Sequence, residues 1–250
     1  MNNVHFFNKS TRNHFLKKAA SAKVLLIAEL HGSKENILVT AETIRLLRRL
    51  KYTTLAYEWP HTFERPLQRV LSTGKYPKSI TRFTLTDGRL SRSHLELLRK
   101  LAGLRPVFPI ELVCYDPDFR ANWNRVESAM AKLLARRLNR VGKMIVVAGR
   151  LHAQGKPFFL HNRRVYPLGH ILRVRMHFRV LTLHLVYCSG SIRNGATKRV
   201  TRSKVDYGFP LPQIQTNSVV IVPGQTSAEF LCLIPRSHVL PYTPRIRKGR

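Results

Sequence analysis

The chain alternates short, wholly apolar runs with longer stretches in which apolar residues recur every three or four positions. VLLIA (24–28) and KMIVVAG (143–149) show no polar alternation, so both faces of each strand are expected to be buried. TTLAYE (53–58) and VFPIELVCY (107–115) read as two more strands, the second with a proline that marks an irregularity or an edge. Between them, ENILVTAETIRLLRRL (35–50) places Ile37, Ala41, Ile44 and Leu47 on one helical face. SHLELLRKLAGL (93–104) is a further helix. FRANWNRVESAMAKLLARRLNR (119–140) is a long helix with Val126, Met130, Leu133, Leu134 and Leu138 as its buried stripe. Strands of this kind alternating with amphipathic helices predict an α/β fold with a mostly parallel central sheet flanked by helices.

Downstream, VLTLHLVY (180–187) reads as a core strand, and NSVVIVPGQTSAEFLCLIP (217–235) as two additional C-terminal strands joined by a glycine-containing turn. The expected organisation is a basic lead-in over 1–21, an α/β domain over 22–190, and a basic β extension and tail over 191–250 packed on the same domain. No segment approaches the roughly 18 apolar residues of a spanning helix, and MHFRVLTLHLVYCSG (176–190) is too short and interrupted to be one. Three scattered cysteines without CxxC spacing suit a reducing compartment, the cytoplasm or an organelle matrix.

Ligands of parallel sheets bind beyond the carboxyl ends of the strands, which makes the strand exits informative. The first carries Glu29 and His31, the second Glu58, the third Asp116, the fourth His152. Singly, each has an ordinary structural explanation, and Glu35 is best read as an acid at the positive end of the first helix. The sequence has only 13 acids, however, and three of the four exits hold one. Convergence at one edge predicts a site.

Charge enlarges the picture. Lysine and arginine total 44, giving a formal net charge of +31, and no acid occurs between Ser128 and Val205. Such a surplus self-repels without counterions, so a polyanion partner, RNA or another nucleic acid, is expected through the basic C-terminal half. Phe158, Phe159, Tyr166 and Phe178 interleave with the cluster HNRRVYPLGHILRVRMHFR, as stacking on bases would require.

The exits also carry a family resemblance. Ala28-Glu29-Leu30-His31-Gly32 and Gly149-Arg150-Leu151-His152-Ala153, with Glu58 in LAYEWP between them, resemble the paired G-x-x-H motifs and glutamate of the Tiki superfamily. That superfamily takes in erythromycin esterases, ChaN-like haem-binding uptake domains and TraB proteins. Arg125-Val126-Glu127-Ser128-Ala129-Met130-Ala131 looks like its arginine–acid–x–x–Met-Ala helix, and Leu168-Gly169-His170-Ile171-Leu172 like its later Gly-x-x-Leu segment. The likeness spans about residues 22–172, and Ala28 stands where the pattern has glycine.

The resemblance implies a hydrolase acting on a small molecule or a peptide. In a metal-dependent scheme, His31, Glu58 and His152 hold a divalent ion (Mn, Co or Zn) with Glu29 as general base, since two imidazoles and a carboxylate can leave a position open for water. In a metal-free scheme, His31 deprotonates water, Glu58 orients or charges it, and Arg125 binds an oxyanion or a substrate carboxylate. No G-x-S-x-G elbow is present, which disfavours a serine esterase. Two alternatives stand beside these: an RNA- or ribosome-associated protein on a vestigial hydrolase fold, and a haem binder using histidines among 152, 161, 170, 177 and 184.

Overall fold

The computed structural model describes residues 9–76, 87–104, 108–117, 122–194, 196–199, 219–224 and 226–239. A basic helix α1 (Lys9–Ser21) leads into β1 (Val24–Glu29), α2 (Lys34–Leu47), β2 (Thr54–Pro60), α3 (Glu64–Thr73), α4 (Arg92–Ala102), β3 (Glu111–Asp116), α5 (Trp123–Val141) and β4 (Met144–Gly149). Next come a hairpin of β5 (Phe158–Leu160) and β6 (Arg163–Val165), then a helical turn α6 (Leu168–His170) that widens into a π-helical turn over Ile171–Arg175. β7 (Val180–Tyr187), a hairpin of β8 (Ser191–Asn194) and β9 (Ala196–Arg199), β10 (Val220–Pro223) and β11 (Glu229–Ile234) complete the order. The first residues of the expected long helix, residue 107 of the third strand and the basic tail lie outside the described residues.

The fold is α/β, with a seven-stranded sheet in the order β10-β11-β7-β1-β4-β2-β3. Its pairings are parallel except β10 with β11, so the two C-terminal strands extend the sheet beyond β7. The wholly apolar runs take the centre. β1 and β4 lie side by side with every residue buried, because alternate side chains serve opposite faces. Leu25, Ile27, Ile145 and Val147 join a core under α1 to α4, whereas Val24, Leu26, Ala28, Met144, Val146 and Ala148 join a second core under α5 and α6.

Local chemistry sets the element ends. Asn122 caps α5 by accepting from the Arg125 amide, and Gly142 terminates the helix at φ 85°. At the β3 edge of the sheet, the Leu112 and Cys114 amides donate to Gln68 Oε1 and Glu64 Oε2 of α3, at 2.8 and 3.0 Å. These side chains cover a strand edge that would otherwise pair with another chain.

Candidate active site

The residues singled out at the strand exits meet. Glu29 ends β1, His31 lies two positions on, and His152 follows β4 by three residues. Glu58 lies where the β2–β3 register breaks between Tyr57 and Pro60. Since β1, β4 and β2 are adjacent and parallel, their carboxyl ends open on one edge.

Two histidine–carboxylate pairs face each other there across Glu58. His31 Nδ1 lies 3.1 Å from Glu29 Oε1, which leaves Nε2 to face Glu58 Oε2 at 3.9 Å. His152 Nδ1 is hydrogen-bonded to Glu127 Oε1, and its Nε2 faces Glu58 Oε1 at 3.4 Å. The second oxygen of Glu127 accepts the Leu168 amide at 2.6 Å. Trp123 stacks on the His152 ring, with centroids 4.9 Å apart. Helix α5 therefore orients His152 from two sides. Glu58 in turn accepts the Gly149 amide at 2.8 Å and lies 3.5 Å from Arg89, whose guanidinium also binds Asp116 and Asp87 at 2.7 Å each.

The loop bearing His31 is framed separately. The Asn36 side chain donates to Leu30 O at 2.7 Å, the Leu30 amide donates to the Tyr187 hydroxyl, and that hydroxyl donates to Asn36 Oδ1. Glu35, expected only to favour the helix start, sits in the first turn of α2 and is bonded to Ser33 Oγ. It also accepts the amide of His238 at 2.9 Å and pairs with the His238 ring at 2.6 Å, while Ser33 forms a β-bridge with Val239.

Gly149 explains one glycine of the paired motif. A Cβ at this position would stand 2.9 Å from His31 Nε2 and 3.3 Å from His152 Cδ2, so the two rings close over bare backbone. Ala28, the alanine of the first motif, pairs in register with Ala148 and packs in the core under α5, on the opposite face from Glu29. Its methyl does not crowd the histidines.

Burial and charge divide the protonation states. Burial alone would raise the Glu58 carboxyl, but His152, His31, Arg89 and the Gly149 amide outweigh it and hold Glu58 below the ordinary range. Burial opposes the charged form of His152 as well. Glu58 and Glu127 overcome this and push its pKa up to about 9. His31 is also raised, by Glu29 and Glu58 against burial. Glu29 moves up because burial exceeds the effect of His31.

Among the described residues no group of three or more His, Cys, Asp or Glu side chains is arranged to hold a metal ion. His31, Glu58 and His152 converge as an ion-pair network in which Glu58 accepts the Gly149 amide and faces both imidazole rings. The divalent-ion scheme is without support among the described residues. The haem candidates are dispersed over distinct elements. His161 sits at the β5–β6 tip with φ 47°, His170 contacts Gly155 O at 3.3 Å, His177 is exposed, and His184 is buried in β7 at 3.8 Å from Glu229.

Two expected roles fall elsewhere. Arg125 is exposed on α5, and among the described residues its side chain makes no hydrogen bond or ion pair with the cluster. Arg89 is the guanidinium beside Glu58 instead. Asp116 serves Arg89 rather than a simple turn. Of the interleaved aromatics only Phe159 is exposed, while Tyr166 lies under the Arg164 and Arg175 guanidinium groups.

Comparison with known proteins agrees at the level of fold. No family model matches the sequence, and no curated protein is similar to it. Among solved structures, a mutant of erythromycin esterase EreC in its open conformation superposes with a TM-score of 0.67, covering 91% of this chain and 94% of that one at 12% identity. The fold is that of erythromycin esterase. A succinoglycan biosynthesis protein (TM-score 0.64, 12% identity, 89% and 90% coverage) and a Bacillus cereus protein (0.59, 13%, 74% and 69%) share it. At such identities the erythromycin-esterase-like fold carries architecture alone.

Proposed function

We propose that the protein is a metal-free hydrolase of esters or lactones that activates water with His31. The observation that carries this reading is the pair of histidine–glutamate dyads aimed at Glu58 from two strand exits. Glu29 at Nδ1 fixes the His31 ring so that neutral Nε2 takes a proton from water, as a carboxylate orients the base in other hydrolases. The resulting hydroxide adds to the scissile carbonyl. His152, kept cationic by Glu127 and Glu58, stabilises the oxyanion and gives its proton to the leaving alkoxide. Glu58 holds the two rings in place and accepts a hydrogen bond from the attacking water. The fold shared with erythromycin esterase supports a carboxylic ester or macrocyclic lactone as the bond class.

The test is turnover of purified protein on a panel of p-nitrophenyl esters and macrocyclic lactones, with and without a chelator. Hydrolysis that resists chelation and is lost in His31→Ala and His152→Ala is expected. Rates unchanged by His31→Ala would end the reading. Rates lost to chelation and restored by Mn, Co or Zn would return the site to a metal.

A further inference from the structure

The edge of the sheet opposite the site has its own pattern. Lys23, Lys143 and Arg179 immediately precede β1, β4 and β7, three adjacent parallel strands. Their neighbours pair in register, Val24 with both Met144 and Val180. The Lys23 amide donates to Arg179 O at 2.9 Å, and the Met144 amide to Lys23 O at 3.0 Å. Strands lie about 4.8 Å apart, so the three cations form a row about 10 Å long. Lys51 before β2 and Arg140 at the end of α5 continue the charge at that edge.

Among the described residues none of these five side chains forms an ion pair. Glu111, an acid at the start of β3, is engaged by Arg137 at 3.4 Å. Lys23, Lys51, Arg140 and Arg179 are exposed. Lys143 is anchored, its Nζ donating to Ala20 O at 2.6 Å and standing 5.3 Å from the centroid of the Tyr52 ring. Its pKa is lowered, by burial first and then by Lys23 and Arg179. Of the uncharged residues beside the row, Ser21, Ala22, Asn139 and Gly142 are small or polar, Tyr52 is buried, and Val141 and Phe178 are half-buried against the core. With no exposed apolar side chain to insert, the row suits a solvated polyanion better than a bilayer.

We propose that this amino-terminal edge, along Arg179, Lys23 and Lys143, docks the sugar–phosphate backbone of a nucleic acid. In a duplex each strand advances about 3.4 Å of helix axis per phosphate, and the contour distance between successive phosphates is longer, so the row faces about two of them. His177 is the exposed ring nearest Arg179 in sequence, and with no exposed Phe, Tyr or Trp beside the row among the described residues the grip reads backbone charge and not bases. The inference does not depend on hydrolysis at the other edge.

The experiment is fluorescence anisotropy of a labelled homopolymeric single-stranded RNA titrated with the full chain across a KCl series. Lys23→Gln with Arg179→Gln should weaken binding about five- to tenfold and flatten the salt slope by about two. Ester turnover should be unchanged. Arg163→Gln with Arg164→Gln, an equal charge loss on the exposed β5–β6 hairpin, should change affinity less than about twofold. Lys51→Gln with Arg140→Gln gives a second disruption of the same edge should the first pair fail to fold. Equal losses from the edge and hairpin pairs would overturn the proposal, as would RNA binding indifferent to both edge pairs. Capture by phosphatidylserine vesicles without RNA binding would overturn it too.

Discussion

The two edges of one sheet have opposite chemistry. At the carboxyl ends of the strands Glu29, Glu58, Asp87, Asp116 and Glu127 gather around two histidines and one arginine. At the amino ends, cations stand in a row without counterions among the described residues. In a chain with 44 lysines and arginines and 13 acids, this is a segregation and not an even mixture. Glu29, Glu58 and Glu127 hold or orient the two histidines, while Glu42, Glu64 and Glu96 pair with arginines elsewhere. Stability is left to the apolar core between the edges, which the surplus charge does not enter.

The comparison breaks most directly at His31. His31→Ala should lower ester turnover about 10²- to 10⁴-fold, with the circular dichroism spectrum and melting curve retained; a variant that hydrolyses as fast as wild type would place the base elsewhere. Next comes Glu127→Ala, which leaves the His152 cation buried without its carboxylate. A destabilisation of about 3–5 kcal/mol is expected in urea titration, and a loss below about 1 kcal/mol would mean that the pair is not formed in solution. Gly149→Ala brings a methyl against His31 Nε2 and should cost about 1–3 kcal/mol together with turnover, because the rings must move. Unchanged kinetics there would show slack that the 2.9 Å approach denies.

Acidity sharpens the same contrast. Turnover should rise as His31 loses its proton, above the ordinary histidine range, and fall as His152 deprotonates near pH 9. The resulting bell is displaced to the alkaline side, and a flat alkaline limb would remove His152 from proton donation. Stability follows the same sign. With its folded pKa raised to about 9 from the ordinary 6.5, His152 contributes stability that is complete below about pH 6.5 and lost as pH climbs through 9. Thermal melts over that window read it. The smallest effect belongs to Arg125→Ala: an exposed side chain away from the cluster should leave turnover within about twofold, and a large loss would restore the oxyanion role that the sequence suggested.

Much of this edge could be read in advance, for a physical reason. Strands buried on both faces announce themselves as unbroken apolar runs, and the first polar residues after them, Glu29, His31 and His152, are placed by the strand itself. Glu127 was within reach too, since it stands three residues before Met130 on the stripe that continues through Leu134 and Leu138, and an acid on a buried face needs a partner. Arg125 lies off that phase. Arg89 and Tyr187 carry no such signal: one comes from an irregular turn and the other from a distant strand, and only tertiary closure brings either to the site. The cationic row was invisible for a different reason. Lys23 stands more than a hundred positions from Lys143 and Arg179, and the three become neighbours only through strand pairing.

One tie seen at the site has a temporal consequence. The turn that carries His31 is fastened through Glu35 to His238, 203 positions further along the polypeptide. On a ribosome, which releases residues in order, the earlier half of the pocket must wait 203 further positions of translation for its latch. A nascent protein halted short of that latch would hold both histidines with one of their loops still unfastened.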